Sequence, residues 1–421
     1  MTAAESDLPE QHRSLREEVR EFTRDTVIPR IKRMEASGTH ADRKLPQQMA
    51  ARGWAGILIP TEFGGMEAGH VAKTILLTEL SYASGAAGGI LQASLIPTFA
   101  IQHLGSPEQQ NLWLPQIAKG LWTTIAVTEP DHGSDVLGMT ATAHRNTDGS
   151  YTLNAHKTFI GNSGIARLHV VIARTGEPGS RSSRSLSAFL VEAGRRGVSV
   201  TQPPFTGMHG FTTGDLRLSN VRVPAANLLG QEGDGLAAAY GASFVCGRLN
   251  LAAVALGLHR RVLDATTTFL HGRPRKDGRL IDLPVVQHRL AHIQSGLMTA
   301  ELVALHAATQ LDLGEPCDPS LVNAKLTANQ SAVTAAQTAS DLFGGYAVRA
   351  DFPLARLSRD IQHIAAPAGP DDLQLLRLGE SVIDGARPQW SARFARPLMS
   401  KETFNAVSLR PIREVPEDQP A

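Results

Sequence analysis

The residues best suited to chemistry form one short stretch, 121–135, which reads LWTTIAVTEPDHGSD. A β-prone run over 123–128 enters a turn over 130–133 that contains proline and glycine. The turn ends in Ser134 and Asp135. Such a turn can direct backbone N–H groups and a serine hydroxyl toward a phosphate or the edge of a flavin ring. An ordinary turn after a strand explains the same residues, so the rest of the chain must decide between the two.

Length and composition limit the classes of protein that this chain can represent. The chain has 421 residues, of which 42% are hydrophobic, and a formal net charge of +1. This length predicts two or three packed regions with a substantial core. The small net charge argues against nucleic acid as a partner, because no basic excess is available to neutralise phosphates.

Cysteine usage and the N-terminal sequence bear on the cellular compartment. Cys246 and Cys317 are the two cysteines, so no disulfide framework is expected. The N-terminal segment has no apolar stretch typical of a signal peptide, and no run approaches about 20 apolar residues. We therefore expect a soluble cytoplasmic protein with no membrane partner and no metal site.

Three regions of different pattern follow one another along the chain. Apolar residues recur at near-helical spacing through residues 1–121. Short β-branched runs separated by turns fill residues 122–228 and predict half-buried antiparallel strands. Long apolar-periodic segments return over 229–400, and a polar, proline-rich tail covers 401–421. The predicted order is a helical domain, a β-domain, a second helical domain and a tail.

Several strings resemble the motifs of a known family in the order that the family has them. VTEPDHGSD closely resembles the FAD-binding signature of the acyl-CoA dehydrogenases. The resemblance implies an α+β fold with an N-terminal helical domain, a central antiparallel β-domain and a C-terminal four-helix bundle. The other matching strings are YTLNAHKTFI at 151–160, residues 207–224, DLFGGY at 341–346 and FPLARLSRD at 352–360.

The same resemblance implies residues that hold FAD. Val127 and Thr128 would contact the isoalloxazine edge, and Ser134 would bind the pyrophosphate. Phe159 would cover the flavin ring. Arg273 would reach the pyrophosphate of a neighbouring subunit's FAD, and Gly344 and Gly345 would lie along it. The family also implies a homodimer or homotetramer and an acyl-thioester substrate, carried by CoA or by a carrier protein.

The chain departs from the family pattern at the catalytic positions. Most members have a glutamate at the position of Ala368, and a minority have it at the position of Gly247, and neither residue here can act as a general base. The flavin-binding position whose hydroxyl usually bonds the ring is Gly161.

Nearby titratable residues offer replacement bases. Asp371 and Asp372 follow Ala368 closely, and His363 precedes it. The two aspartates are also well placed to cap the following helix, and we favour that interpretation.

Three functions follow as hypotheses. The first is an FAD-dependent oxidoreductase of acyl thioesters with altered acid–base chemistry, acting in specialised biosynthesis. The second is a flavin-dependent monooxygenase on the same fold, using FMN or reduced flavin supplied by a reductase, because loss of the carboxylate would leave room for oxygen chemistry. The third is a non-redox or silent flavoprotein.

Overall fold

The computed structural model describes residues 8–38, 40–383 and 388–395. The predicted tail over 401–421 lies outside these described residues. The described chain folds in the predicted order of helices, sheet and helices.

The first region is a layer of helices around two apolar ones. α4 and α5 are buried along most of their length, as expected for helices whose residues are largely apolar on every side. α6 begins at a capping box in which the Ser106 hydroxyl accepts from the Gln109 N–H. The helices are α1 (Glu10–Phe22), α2 (Ile31–Ser37), α3 (Lys44–Ala51), α4 (Gly69–Ala83), α5 (Gly85–Leu104) and α6 (Pro107–Ala118).

The second region is one twisted sheet with strand order β6-β7-β3-β2-β4-β5-β8. Its long pairings are antiparallel, as predicted, but β1 pairs with β4 in parallel. The parallel pairing is possible because the β2–β3 hairpin separates β1 from β4 and supplies a long crossover. The strands are β1 (Thr123–Ala126), β2 (Thr142–Arg145), β3 (Tyr151–Gly161), β4 (Leu168–Arg174), β5 (Leu186–Glu192), β6 (Val198–Thr201), β7 (Thr213–Val223) and β8 (Leu228–Leu229).

β4 is buried along its whole length because both faces of the sheet are covered there. Leu168, Val170 and Ile172 pack into the main core that the helices share, whereas Val171 and Ala173 point into a second core within the β-domain. Alternate side chains of β4 thus face opposite cores, as expected for a strand between two apolar layers. It anchors the sheet to the helices beside it.

The third region is a helical bundle in which α8 packs against α9, α10 and α11 and also against α4 of the first region. A small hairpin, β9 (Pro274–Arg275) with β10 (Gly278–Arg279), joins α8 to α9. The helices are α7 (Gly235–Tyr240), α8 (Arg248–His271), α9 (Pro284–Asp312), α10 (Asp318–Phe343), α11 (Pro353–Ala365), α12 (Asp371–Ile383) and α13 (Trp390–Arg393).

A π-helical segment, Gly241–Gly247, joins α7 to α8. The continuous helix Gly235–His271 is long and apolar enough to cross a membrane, but 94% of its most apolar window is buried inside the structure. That burial is the environment of a core helix. The π-helical segment adjoins the site described next, in keeping with the frequent location of such segments at functional sites.

Candidate active site

A cavity of about 760 Å³ opens where the three regions meet. Its walls come from α5, from the ends of β1 and β3, from α7 and α8, and from the loop between α11 and α12. Among the described residues that line it there is no aspartate or glutamate, and the titratable side chains in the lining are Tyr240, Arg248, His363 and Arg377. The cavity is therefore apolar with a positive bias.

The turn after β1 forms one rim of the cavity, and Val127, Thr128 and Ser134 all line it. A buried ion pair beneath the rim fixes the strand end, since the Lys157 ammonium donates to Glu129 Oε1 and to the Val127 carbonyl, both at 2.9 Å. Glu129 also accepts from the backbone N–H of Thr140, at 2.6 Å. Burial lowers the pKa of Lys157 to about 8, while Glu129 opposes that shift. Glu129 thus holds the turn in place and does not line the cavity.

Phe159 projects from the end of β3 in an unusual conformation. The pairing of β3 with β7 shifts register between Lys157 and Ile160, and Phe159 has a φ of 58° in the left-handed region. A bulky residue in that region costs on the order of 1–3 kcal/mol, so the surrounding structure must impose it. The side chain is 65% exposed and meets Phe205 edge-on at 6.1 Å. An aromatic face held out into the cavity fits a flat ring such as isoalloxazine.

Gly161 lacks the family hydroxyl, and its neighbours fill the space. A Cβ built on Gly161 would lie 2.7 Å from Cζ of Phe211 and 3.3 Å from Cβ of Ala93. The Gly161 carbonyl accepts a 2.5 Å hydrogen bond from the Thr124 hydroxyl, which ties β3 to β1. The loss of the hydroxyl is therefore accompanied by an aromatic ring in its place.

The two family positions of the catalytic glutamate lie in different environments. Ala368 lines the cavity with a φ of 55°, whereas Gly247 is buried at the end of the π-helical segment and does not line it. A Cβ on Gly247 would meet the Ile96 side chain at 3.3 Å. Neither position carries a proton acceptor.

The three replacement candidates are separated by the structure. Asp371 and Asp372 lie in the first turn of α12, outside the cavity lining, and Asp371 accepts two hydrogen bonds from the Asn329 amide at 3.0 and 3.2 Å. Negative side chains in the first turn stabilise a helix. His363 lines the cavity and contacts Phe205 edge-on at 5.7 Å. Burial lowers the pKa of His363, so its imidazole is largely neutral at pH 7 and can accept a proton.

The loop that carries Ala368 is fixed by hydrogen bonds from the side chains of Lys325 and Gln374. The Lys325 ammonium donates to the carbonyls of Ala365, at 2.9 Å, and Gly369, and the Gln374 amide donates to the carbonyls of Ala368 and Gly369 at 2.9 and 2.8 Å. Burial lowers the pKa of Lys325 to about 8. These contacts fix the loop over the cavity.

Arg248 lines the cavity although the sequence did not predict it as a site residue. Its side chain lines the cavity although the residue is only 3% exposed, and its Cζ lies 3.1 Å from the ring centroid of Phe244. Its Nε and Nη1 have no hydrogen-bond partner within the described part of the chain. Burial lowers its pKa to about 9. In the sequence Arg248 is marked only by its position directly after Gly247, one of the two places where family members carry the catalytic glutamate.

Arg273, Gly344 and Gly345 lie outside the cavity lining but close to one another. The Arg273 guanidinium stacks on the Tyr346 ring at 4.4 Å, directly after the glycine pair. Gly344 has a φ of 57°, and a Cβ on either glycine would meet no atom within 4 Å. This open surface can accept another molecule. Within the described residues, no cluster of three or more His, Cys, Asp or Glu side chains could hold a metal.

Comparison with known proteins defines the class. Models of the acyl-CoA dehydrogenase N-terminal, middle and C-terminal domains match residues 9–121, 124–221 and 233–383. The chain is 31% identical over 378 residues to a 3-(aryl)acrylate reductase of Clostridium sporogenes, covering 89% of this chain and 99% of that protein.

Solved structures agree. Butyryl-CoA dehydrogenase from Megasphaera elsdenii superposes with a TM-score of 0.85 at 26% identity, covering 89% of this chain and 99% of that one. An FAD complex of PigA gives a TM-score of 0.83 at 25% identity, covering 90% and 99% of the two chains. The chain belongs to the acyl-CoA dehydrogenase family, and it is a flavin-dependent oxidoreductase of that superfamily.

Proposed function

We propose that this protein oxidises or reduces the α,β bond of an acyl thioester with His363 as the acid–base group. The observation that carries the proposal is the composition of the cavity wall, which has His363 beside Ala368 and no carboxylate among the described lining residues. Removing a proton from the α-carbon requires a proton acceptor in the cavity, and returning the proton requires the same group in its protonated form. The half-buried imidazole of His363 can serve, because burial lowers its pKa and favours the neutral, proton-accepting form.

The cofactor is FAD, and the cavity has the features that it needs. Val127, Thr128 and Ser134 would hold it along the rim, and Phe159 would lie against its ring system. Gly161 would leave the ring without the hydroxyl donor that the family usually has at this position. When bound, FAD supplies the hydride chemistry at the β-carbon.

The acid–base role of His363 depends on its surroundings. Desolvation lowers the pKa of His363, and the nearby Asp360 only partly opposes this. The neutral ring can therefore take the α-proton in the oxidative direction, and the protonated ring can return it in the reductive direction. The edge-on contact with Phe205 would keep the imidazole directed along the cavity.

The activities of the relatives favour this reaction class over oxygenation. The relatives are dehydrogenases and reductases, including an acryloyl-CoA reductase of Anaerotignum propionicum that is 32% identical over 340 residues. Neither the monooxygenase nor the silent flavoprotein has a comparable observation in its favour. A purified protein whose bound flavin no thioester reduces would point to the silent alternative.

The assembly and the carrier group form a second part of the proposal. We infer a homodimer or homotetramer in which Arg273, Gly344 and Gly345 of one subunit reach the FAD of another. The substrate is carried by CoA or a carrier protein, and neither a membrane nor nucleic acid is a partner. We place the domain boundaries at 1–121, 122–228 and 229–400. We place the protein in the cytoplasm, a reducing compartment that is compatible with the free buried thiols of Cys246 and Cys317.

An anaerobic titration tests the proposed function. Saturated acyl thioesters are added to the oxidised holoenzyme, and enoyl thioesters to the dithionite-reduced form, while the flavin absorbance is followed. His363→Gln should slow the absorbance change by about 10²-fold or more, whereas His288→Gln, on the surface of α9, should not. If no thioester changes the flavin redox state in the wild type, the proposal fails.

A further inference from the structure

Helices α5 and α8 supply a largely apolar part of the cavity wall. The two helices close against each other at one point, since Val254 Cγ2 would lie 3.1 Å from a Cβ on Gly88. The aliphatic chain of an acyl group is the part of a thioester that such a wall binds. The lining residues of this part are Gly89, Gln92, Ala93 and Ile96 from α5 and Leu251 and Val254 from α8.

The ring of Phe211 spans the gap between α5 and β3 beside this wall. At one edge of the ring, Cγ and Cδ1 would lie 3.3 and 3.4 Å from a Cβ on Gly89 of α5. At the opposite edge, Cζ would lie 2.7 Å from a Cβ on Gly161 of β3. The ring fits there because neither residue has a side chain. An acyl chain that runs along α5 therefore meets the ring and cannot pass between α5 and β3.

Met208 lies beside the Phe211 ring and fills the rest of the space against α5. Its side chain is buried, with Cε 3.2 Å from the position of a Cβ on Gly89 and Sδ 2.5 Å from that of a Cβ on Gly85. The two glycines are four residues apart and so lie on one face of α5. That face receives both side chains, because a larger residue at either position would meet one of them.

The turn before β7, which carries both side chains, is fixed on two sides. The backbone N–H of Met208 donates to Asp360 Oδ1 of α11 at 2.7 Å, and the Met208 carbonyl accepts from the Phe211 N–H at 3.0 Å. The Gly210 carbonyl accepts from the Asp42 N–H, just before α3, at 3.1 Å. Met208 has a φ of 55°, a left-handed conformation that residues with a side chain rarely adopt. These contacts hold the Phe211 ring in the gap.

We propose that Phe211 sets the upper limit on the length of the acyl group that the cavity accepts. The substrate class is a thioester of a short-chain acid, whose acyl group ends at the Phe211 ring. A longer chain would have to displace a ring that is packed between a helix and a strand, and such overpacking opposes binding. This inference rests on the proposed thioester substrate, but it concerns binding and does not require turnover.

Binding of enoyl thioesters to the oxidised holoenzyme tests this limit, because the oxidised flavin does not consume a product of the oxidative direction. The probes are N-acetylcysteamine thioesters of linear 2-enoic acids with four, six, eight and ten carbons, and calorimetry gives their dissociation constants. The affinity of the wild type should reach a maximum within this series and fall beyond it. Phe211→Ala should move the maximum by at least two carbons and tighten binding of the next longer probe by about tenfold. Phe211→Leu should have a smaller effect in the same direction.

Control variants separate the possible failures. Phe63→Leu changes a phenylalanine that packs on the main core outside the cavity lining and should leave the maximum unchanged. Bound flavin and the melting temperature report on the fold of each variant, and Phe211→Leu carries the comparison if Phe211→Ala loses its flavin. His363→Gln should leave the maximum where it is in the wild type.

Three results would overturn the inference. They are an affinity that rises through ten carbons in the wild type, the same maximum in the wild type and in the flavin-loaded Phe211 variants, and no binding of any probe. The anaerobic flavin titration measures the redox step separately. A failed acid–base proposal and a failed length limit therefore give different results.

Discussion

The ring of Phe211 occupies the space that a side chain at residue 161 would need, with Cζ 2.7 Å from the position of a Cβ on Gly161. Both residues line the cavity. The absence of a side chain at residue 161 and the position of the Phe211 ring therefore depend on each other. Adding a hydroxyl side chain at residue 161 while the Phe211 ring stays in place should destabilise the fold.

Gly161→Ser should lower stability, because the new side chain must displace the Phe211 ring. Overpacking of this kind costs about 1–3 kcal/mol. In the double variant with Phe211→Leu the cost should be smaller than the sum of the two single costs. Melting temperatures of the four proteins measure this coupling, and strictly additive shifts would show that the two side chains do not compete.

Ala368→Glu should restore a carboxylate to the cavity. Ala368 already has a φ of 55°, so a glutamate there adds little backbone strain. We expect about 10²-fold faster oxidation of neutral acyl thioesters, measured by flavin bleaching. Gly247→Glu, at a position outside the lining, is the matched comparison, and equal behaviour of the two variants would contradict the placement of the loop.

The lowered pKa of the buried Lys325 predicts that stability depends on pH. Its pKa is lowered from 10.5 to about 8 by burial, so between pH 8 and pH 10.5 the unfolded chain binds more protons at this residue than the folded one. The free energy of unfolding therefore rises with pH across that window, by about 3 kcal/mol at most. Melting temperatures of the wild type and Lys325→Met, compared at pH 7.5 and pH 9.5, should shift in favour of the wild type at the higher pH. A constant difference would show that folding does not lower the pKa of Lys325.

Arg273 should act on the flavin of another subunit. Arg273→Met and Ser134→Asp should each lose bound FAD, the first by removing a cation and the second by placing a negative charge at the pyrophosphate position. Co-expression of the two variants should recover part of the flavin, because mixed assemblies contain sites with an intact turn and an intact arginine. Flavin absorbance per protein after size exclusion measures the recovery. Absence of recovery would mean that Arg273 serves its own chain.

The order of helices and strands could be predicted because it depends on local periodicity. The residues of the turn at 127–135 allowed either an anion-binding turn or an ordinary one, and the resemblance to the family favoured flavin binding. The left-handed conformation of Phe159 could not, since it arises from a register shift between β3 and β7. The choice among Asp371, Asp372 and His363 required the fold, because all three lie near Ala368 in sequence. The unpaired donors of Arg248 likewise depend on contacts between distant segments.

The exchange of the substrate's α-proton tests the central claim most directly. The oxidised holoenzyme is incubated anaerobically in deuterium oxide with a thioester that it binds, and deuterium at the α-carbon is followed by proton NMR. If His363 is the acid–base group, the wild type incorporates deuterium and His363→Gln does so about 10²-fold more slowly with unchanged thioester affinity. Exchange that proceeds at the wild-type rate in His363→Gln would contradict the assignment.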